Sequence, residues 1–177
     1  FYGYGIKGFI LSLLEASVRF SNTQPVLLNI AKIIKIGKDM LAQPIQLLPK
    51  VKDTLRHLSE HYTLIMITKG DLLDQQKKVR GSGLWKYFRS IEIVSEKNEQ
   101  TYLEILKKNN TSPEDFLMVG NSLKSDILPV TKIGGTGVYI PHKFTWRHEE
   151  LDGTCDLDRF VELKTISELK VWLENKM

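Results

Sequence analysis

Side chains that can bind anions or cations follow three short apolar runs of this 177-residue sequence. They are Thr68, Lys69 and Gly70 after the first run, Lys97 shortly after the second, and Asn121 and Asp126 after the third. A hydroxyl and backbone N–H groups can donate hydrogen bonds to phosphate oxygens, and an ammonium group offsets developing negative charge. Carboxylate and amide oxygens bind hard cations such as Mg²⁺. Together these residue types predict a site for a metal-bound phosphoryl group.

Each of these residues also has a structural interpretation. Thr68 is a residue type that often caps a helix. Lys97 is one of many lysines, most of which lie in solvent in folded proteins. The segment 120–126 can equally be a glycine turn followed by helix-capping Ser and Asp side chains. Residue type alone does not decide between these structural interpretations and a binding site.

The segments around these residues have the spacing of alternating helices and strands. Helices are predicted at about residues 6–20, 26–41, 49–60, 71–81, 101–109, 127–133 and 167–174, and strands at 62–67, 91–94, 116–119, 137–140 and 161–163. This alternation predicts an α/β fold with a Rossmann-like, three-layer parallel sheet. Because open α/β sheets bind ligands at the carboxyl ends of their strands, the three groups should converge at one edge.

The chain divides into two predicted regions. Residues 1–46 are helical and contain no predicted strand, whereas residues 47–177 carry the alternating pattern. Two helices without a sheet cannot enclose a large core, so we expect residues 1–46 to lie over the second region. The sequence also begins at Phe1 without an initiator methionine, and we expect a segment to precede it.

Composition narrows the function classes. The chain is 42% hydrophobic and 26% charged, which is typical of a globular protein. No apolar run approaches the roughly 20 residues that span a bilayer, and no signal peptide is visible. The net charge of +4 is mild and spread over several segments, so it favours an anionic small molecule over nucleic acid. A single cysteine, Cys155, suits a reducing compartment, and we expect a cytoplasmic protein without membrane association.

Three other groups could carry chemistry. His57 and His61 share a helix face as a possible metal pair, but with no third ligand expected nearby they are interpreted as partly exposed helix residues. Residues 146–149 could border a pocket or form a surface loop. Cys155 lacks a partner and is interpreted as a bystander.

The order of the three groups resembles the second, third and fourth motifs of the haloacid dehalogenase superfamily. The resemblance rests on Thr68, Lys97 and the segment 120–126, and it covers about residues 47–145. It implies that residues 1–46 are part of a helical cap and that the members most similar to this chain are phosphatase-like hydrolases. It also implies a magnesium-dependent reaction through an aspartyl-phosphate, in which Thr68 binds phosphoryl oxygens and Lys97 steadies the nucleophile.

The sequence departs from the family pattern at two points. Asn121 stands where the fourth motif usually has its first acid, which leaves Asp126 as the charged metal ligand. The first motif, an Asp-x-Asp pair on a central strand, is absent, because residues 156–158 have the two acids but follow no apolar strand. The resemblance therefore implies that the nucleophile lies upstream of Phe1, on a strand between those that end at Thr68 and Gly120.

The leading interpretation is a phosphohydrolase with Mg²⁺ as cofactor and a small phosphorylated metabolite as substrate. Three alternatives are a metal-independent 2-haloacid dehalogenase, a catalytically inactive phosphate-binding or interaction protein, and a two-component receiver domain. The helical segment 1–46 and the late position of Asp126 disfavour the receiver domain. The sequence leaves the oligomeric state open.

Overall fold

The computed structural model describes residues 2–3, 5–20, 26–142 and 160–176. Its helices are α1 (Ile6–Phe20), α2 (Val26–Ala42), α3 (Val51–His61), α4 (Leu72–Ser82), α5 (Glu99–Lys108), α6 (Leu128–Lys132) and α7 (Glu168–Glu174). Its strands are β1 (Ile65–Lys69), β2 (Ser90–Val94), β3 (Leu117–Gly120), β4 (Thr136–Tyr139) and β5 (Phe160–Glu162). Cys155 and residues 146–149 and 156–158 lie outside the described residues. None of the described helices combines the length and hydropathy that a bilayer span requires.

All described strand pairs are parallel, as the alternating pattern predicted. β1 pairs with β2, and β3, β4 and β5 form a second group in that order. No ladder joins β1 to β3 within the described part of the chain. Each of these two strands therefore presents a backbone edge that is not paired with another described strand.

Helices cover both faces of the strands, which confirms the three-layer α/β prediction. Met118 of β3 packs on one face with Tyr102 and Ile105 of α5 and with Val130 of α6. Its neighbours Leu117 and Val119 contact the opposite cluster, which contains residues of α3 and α7. This alternation follows from the two-residue period of a strand. Ile67 of β1 joins the same cluster as Met118, so the two strand groups share one helical layer.

Two boundaries differ from the sequence-based prediction at functionally relevant places. The first strand begins at Ile65 and extends through Lys69, so Thr68 lies within the strand. Tyr62 instead continues the end of α3, because its N–H donates to the Leu58 carbonyl. The helical segment after β3 begins earlier than the predicted residue 127. It starts with a π-helical turn at Leu123–Ile127, which Ser122 caps and which includes Ser125 and Asp126.

The first two helices pack together and leave much apolar surface exposed. Ile10 of α1 packs against Gly37 of α2, where a Cβ atom would come within 2.8 Å of the Ile10 side chain. Lys7 connects α1 to the core through ion pairs of 3.0 Å with Asp71 and 3.2 Å with Asp74. The division into a cap at residues 1–46 and a core at residues 47–177 stays a prediction.

Candidate functional site

A buried ion pair lies at the carboxyl edge of the strands. The Lys97 ammonium group is 2.6 Å from Oδ1 of Asp126, and their side chains are only 11% and 6% exposed. Lys97 lies between the end of β2 and Asn98, which caps α5 by accepting a hydrogen bond from the Thr101 N–H. The interpretation of Lys97 as a solvated lysine does not hold, because burial and a charged partner fix its ammonium group.

The turn after β3 places the Asp126 carboxylate at this position. The Ser122 hydroxyl accepts a hydrogen bond from the Ser125 N–H at 3.0 Å, which caps the helical turn. The Ser122 N–H in turn donates to Oδ2 of Asp126 at 3.1 Å. A Cβ atom at Gly120 would collide with the Asp126 side chain. Glycine at the end of β3 is therefore what allows the carboxylate to lie against the strand.

A second contact brings the end of β1 to the same turn. The Lys69 ammonium group donates a 2.9 Å hydrogen bond to the Ser125 hydroxyl. The buried Tyr102 hydroxyl donates to the Ser125 carbonyl at 2.9 Å, which fixes the turn from the side of α5. Lys69 and Lys97 thus both reach the segment that follows β3, although Lys69 ends β1 and Lys97 follows β2. The convergence expected from sequence is present for these residues.

Thr68 and Gly70 lie beside the start of α4. The Thr68 hydroxyl is 3.2 Å from Oε1 of Gln75, to which it donates a hydrogen bond. The cap of α4 is Asp71, whose side chain accepts from the Asp74 N–H, so the capping interpretation of Thr68 does not hold. Gly70 has a φ of 134°, and a Cβ atom there would lie 2.9 Å from Nε2 of Gln75. Its N–H donates to the Val94 carbonyl over a long distance of 3.4 Å.

Asn121 and Asp126 offer oxygen atoms of the kind that Mg²⁺ binds. The Asp126 carboxylate has about four acceptor positions, and the contacts from Lys97 and Ser122 occupy two of them. Asn121 is exposed and directly follows β3, at the start of the turn. These oxygen atoms are of the type that binds a hard cation. Of the two side chains only Asp126 is negatively charged, and the Lys97 ammonium group competes with a metal ion for its carboxylate.

Lys7 and Asp71 carry shifted pKa values next to the Thr68–Gly70 segment. The Asp74 backbone N–H, followed by the Lys7 side chain, lowers the pKa of Asp71 below its ordinary value. Hydrogen bonds to Asp71 and Asp74 raise the pKa of Lys7. Both shifts favour the charged forms, so the contact between α1 and the start of α4 is ionic at neutral pH.

Sequence reasoning missed two residues of this region. Gln75 and Tyr102 both help to position the predicted residues. The capping interpretation of the segment 120–126 holds for Ser122, whose hydroxyl accepts from the Ser125 N–H. A sequence signal existed for Gln75, because it lies one turn after Asp71, the residue that caps α4. Nothing in local spacing indicates that Tyr102 contacts Ser125 across 23 positions.

The histidine pair on α3 also differs from expectation. His57 is half-buried and His61 exposed, which confirms their placement as partly exposed helix residues. The expectation that no third ligand lies nearby is wrong. Glu60 lies between them, and one ligand atom from each of the three residues falls within 4.8 Å of the others.

Comparisons with known proteins agree with this architecture. A family profile for haloacid dehalogenase-like hydrolases matches residues 4–134. A crystal structure of a haloacid dehalogenase-like family hydrolase from Xanthomonas campestris is 34% identical, with a TM-score of 0.86 over 98% of this chain and 70% of its own. The curated glyceraldehyde 3-phosphate phosphatase of Methanothermobacter thermautotrophicus is 28% identical over 158 residues, which are 85% of this chain and 68% of that protein.

A more distant structure shares the fold alone. The structure of a predicted phosphoglycolate phosphatase from Haemophilus somnus 129PT is 15% identical, with a TM-score of 0.66 over 99% of this chain and 79% of its own. The matched profile covers most of the chain and includes every residue of the site described above. The chain therefore belongs to the haloacid dehalogenase-like hydrolase family and is a hydrolase.

Proposed function

We propose that this hydrolase is a magnesium-dependent phosphatase that acts on a small phosphorylated metabolite. The observation that carries the proposal is the buried Lys97–Asp126 pair with Lys69 beside it, at the carboxyl edge of the strands. Lys69 and Lys97 bring two ammonium groups to this edge, and ammonium groups attract a dianionic phosphoryl group. The phosphatase name of the curated relative supports the same substrate class.

In this proposal the binding residues are those of the sequence prediction. Thr68 would turn its hydroxyl from Gln75 to a phosphoryl oxygen, and the Lys69 and Gly70 N–H groups would donate to others. Lys97 would offset negative charge on the nucleophile and the phosphoryl group. Asn121 and Asp126 would hold Mg²⁺, which supplies further charge neutralisation.

We propose that the nucleophile is an aspartate on an additional parallel strand between β1 and β3. Among the described strands, none pairs with the facing edges of β1 and β3, which supports this placement, since buried backbone groups normally have partners. A carboxylate oxygen of that aspartate would attack phosphorus, and the bond from phosphorus to the ester oxygen would break. A neighbouring acid would protonate the departing oxygen. Water would then attack phosphorus, releasing phosphate and restoring the carboxylate.

The decisive experiment measures two products, phosphate and halide, from a protein that carries the proposed nucleophile strand. We expect inorganic phosphate to be released from phosphorylated metabolites with Mg²⁺ and the release to stop with EDTA. Residues 1–177 alone should release none. Halide release from 2-haloacids without a metal would instead identify a dehalogenase and overturn the proposal.

One observation favours a second candidate, an inactive phosphate-binding protein. Asn121 replaces a charged ligand and lies exposed, which lowers the expected affinity for Mg²⁺. Binding of phosphorylated ligands without hydrolysis across a broad substrate panel would support that candidate. We also propose a cytoplasmic location, which the single cysteine of the sequence supports.

A further inference from the structure

The end of α3 carries a cluster of metal-binding side chains that the proposed phosphatase does not use. His57, Glu60 and His61 have the spacing i, i+3 and i+4, so they lie on one face of the helix. One ligand atom from each lies within 4.8 Å of the others, and the two imidazole centroids are 4.9 Å apart. We propose that these three residues form a Zn²⁺ site.

The chemistry of the three groups selects the metal. Two imidazole nitrogens and a carboxylate oxygen are a common ligand set for Zn²⁺, whereas Mg²⁺ prefers oxygen ligands alone. Tetrahedral ligands at about 2.0–2.1 Å from Zn²⁺ lie roughly 3.4 Å apart. The ligand atoms would have to move closer than 4.8 Å to bind one ion, and the exposed Glu60 and His61 side chains are free to rotate into that arrangement. A fourth position stays open for water or another carboxylate.

Two features of the surroundings favour a cation here. His61 is the last residue of α3, where the carbonyl groups of the final turn carry partial negative charge. Oε1 of Glu174 on α7 lies 3.8 Å from Nε2 of His57, which brings a second carboxylate to the cluster. Lys170 approaches the same Glu174 oxygen at 3.9 Å and competes for it. We therefore place Glu174 beside the metal site and do not count it among the three ligands.

The zinc site is separate from the candidate catalytic site. α3 ends three residues before β1 begins, so His61 lies near the amino end of that strand, while Lys69 lies at its carboxyl end. Five strand residues span about 13 Å or more. Leu58 and Leu169 already pack α3 against α7 in one cluster, and a metal held by His57 with Glu174 nearby would reinforce that contact. The site would therefore have a stabilising function.

The test is a Zn²⁺ titration of untagged, chelator-treated protein by calorimetry, in excess Mg²⁺. We expect one equivalent of Zn²⁺ to bind and to raise the melting temperature. His57→Gln and His61→Gln should each weaken binding by at least about tenfold, since even outer groups around a metal contribute that much. Glu174→Gln should weaken it less. Helical circular dichroism would verify that each variant is folded.

His142→Gln is the matched control, because it removes an imidazole outside the cluster and should leave Zn²⁺ affinity unchanged. Absence of Zn²⁺ binding by the unmodified protein would overturn the proposal. So would unchanged affinity in a His57→Gln/His61→Gln double variant. The zinc proposal is tested by metal binding and thermal stability. A lack of phosphatase activity would therefore count against the proposed function and not against the zinc site.

Discussion

Removing the charge of Lys97 should destabilise the protein far more than removing that of an exposed lysine. In Lys97→Met the side chain keeps nearly the same length but loses its ammonium group. The Asp126 carboxylate, which is 6% exposed, then lacks its charged partner at 2.6 Å. The change isolates the electrostatic contribution of the pair from its packing.

The structure allows the size of the effect to be estimated. Removing one partner of a buried ion pair costs about 3–5 kcal/mol. Asp126 retains the hydrogen bond from the Ser122 N–H at 3.1 Å, so we expect the lower end, about 3 kcal/mol. Lys108→Met is the matched control. Lys108 lies 2.9 Å from Glu92 but is 65% exposed, and such pairs contribute about 0.2–1 kcal/mol.

Urea unfolding followed by circular dichroism measures both losses. The slope with urea should stay the same, because each substitution leaves the buried area nearly constant. A double variant, Lys97→Met with Asp126→Asn, should be more stable than the sum of the single losses predicts, by about 2 kcal/mol. A loss for Lys97→Met no larger than for Lys108→Met, or strict additivity in the double variant, would refute the reasoning.

Three further predictions follow from neighbouring contacts. Gly120→Ala should cost at least about 2 kcal/mol in urea unfolding, because the new Cβ atom collides with the Asp126 side chain; unchanged stability would contradict this close approach. The lowered pKa of Asp71 means that its contact with Lys7 is present at neutral pH and is lost as pH falls through that pKa, below the ordinary 3.8. The raised pKa of Lys7 keeps the contact ionic until the pH passes above 10.5. In Lys7→Gln, carbon-detected NMR should show the Asp71 titration midpoint rise but stay below its ordinary value, since the Asp74 N–H still donates; an unmoved midpoint would exclude the contact. Asn121→Asp should tighten Mg²⁺ binding in calorimetry, and unchanged affinity would place the Asn121 amide outside the metal's reach.

Much of the fold was predictable because the spacing of apolar residues indicates which side of each helix or strand is buried. The helix at residues 6–20 matches α1 at both ends, and the positions of all five described strands were indicated by apolar runs. Strand ends were less predictable. β1 continues through Thr68 and Lys69 because both pair with β2, and a polar residue inside a ladder has no local signature.

The candidate site was predictable in its residue types but not in its contacts. Glycine, lysine and aspartate after successive strands indicated a convergent site, because parallel strands end at one edge. The pairing of Lys97 with Asp126 joins positions 29 apart, and that of Lys69 with Ser125 joins positions 56 apart. Such contacts depend on sheet order and on a π-helical turn, which one sequence does not reveal.

The most direct test of the proposed function is the rate of phosphate release by Lys97→Met, in a protein that carries the proposed nucleophile strand. With Mg²⁺ and a phosphorylated metabolite at saturation, we predict a kcat at least about 100-fold lower than that of the unmodified protein. The folded fraction would be measured in parallel, and Lys108→Met should keep full activity. A folded Lys97→Met protein with unchanged kcat would contradict a phosphoryl-transfer site built around Lys97 and Asp126.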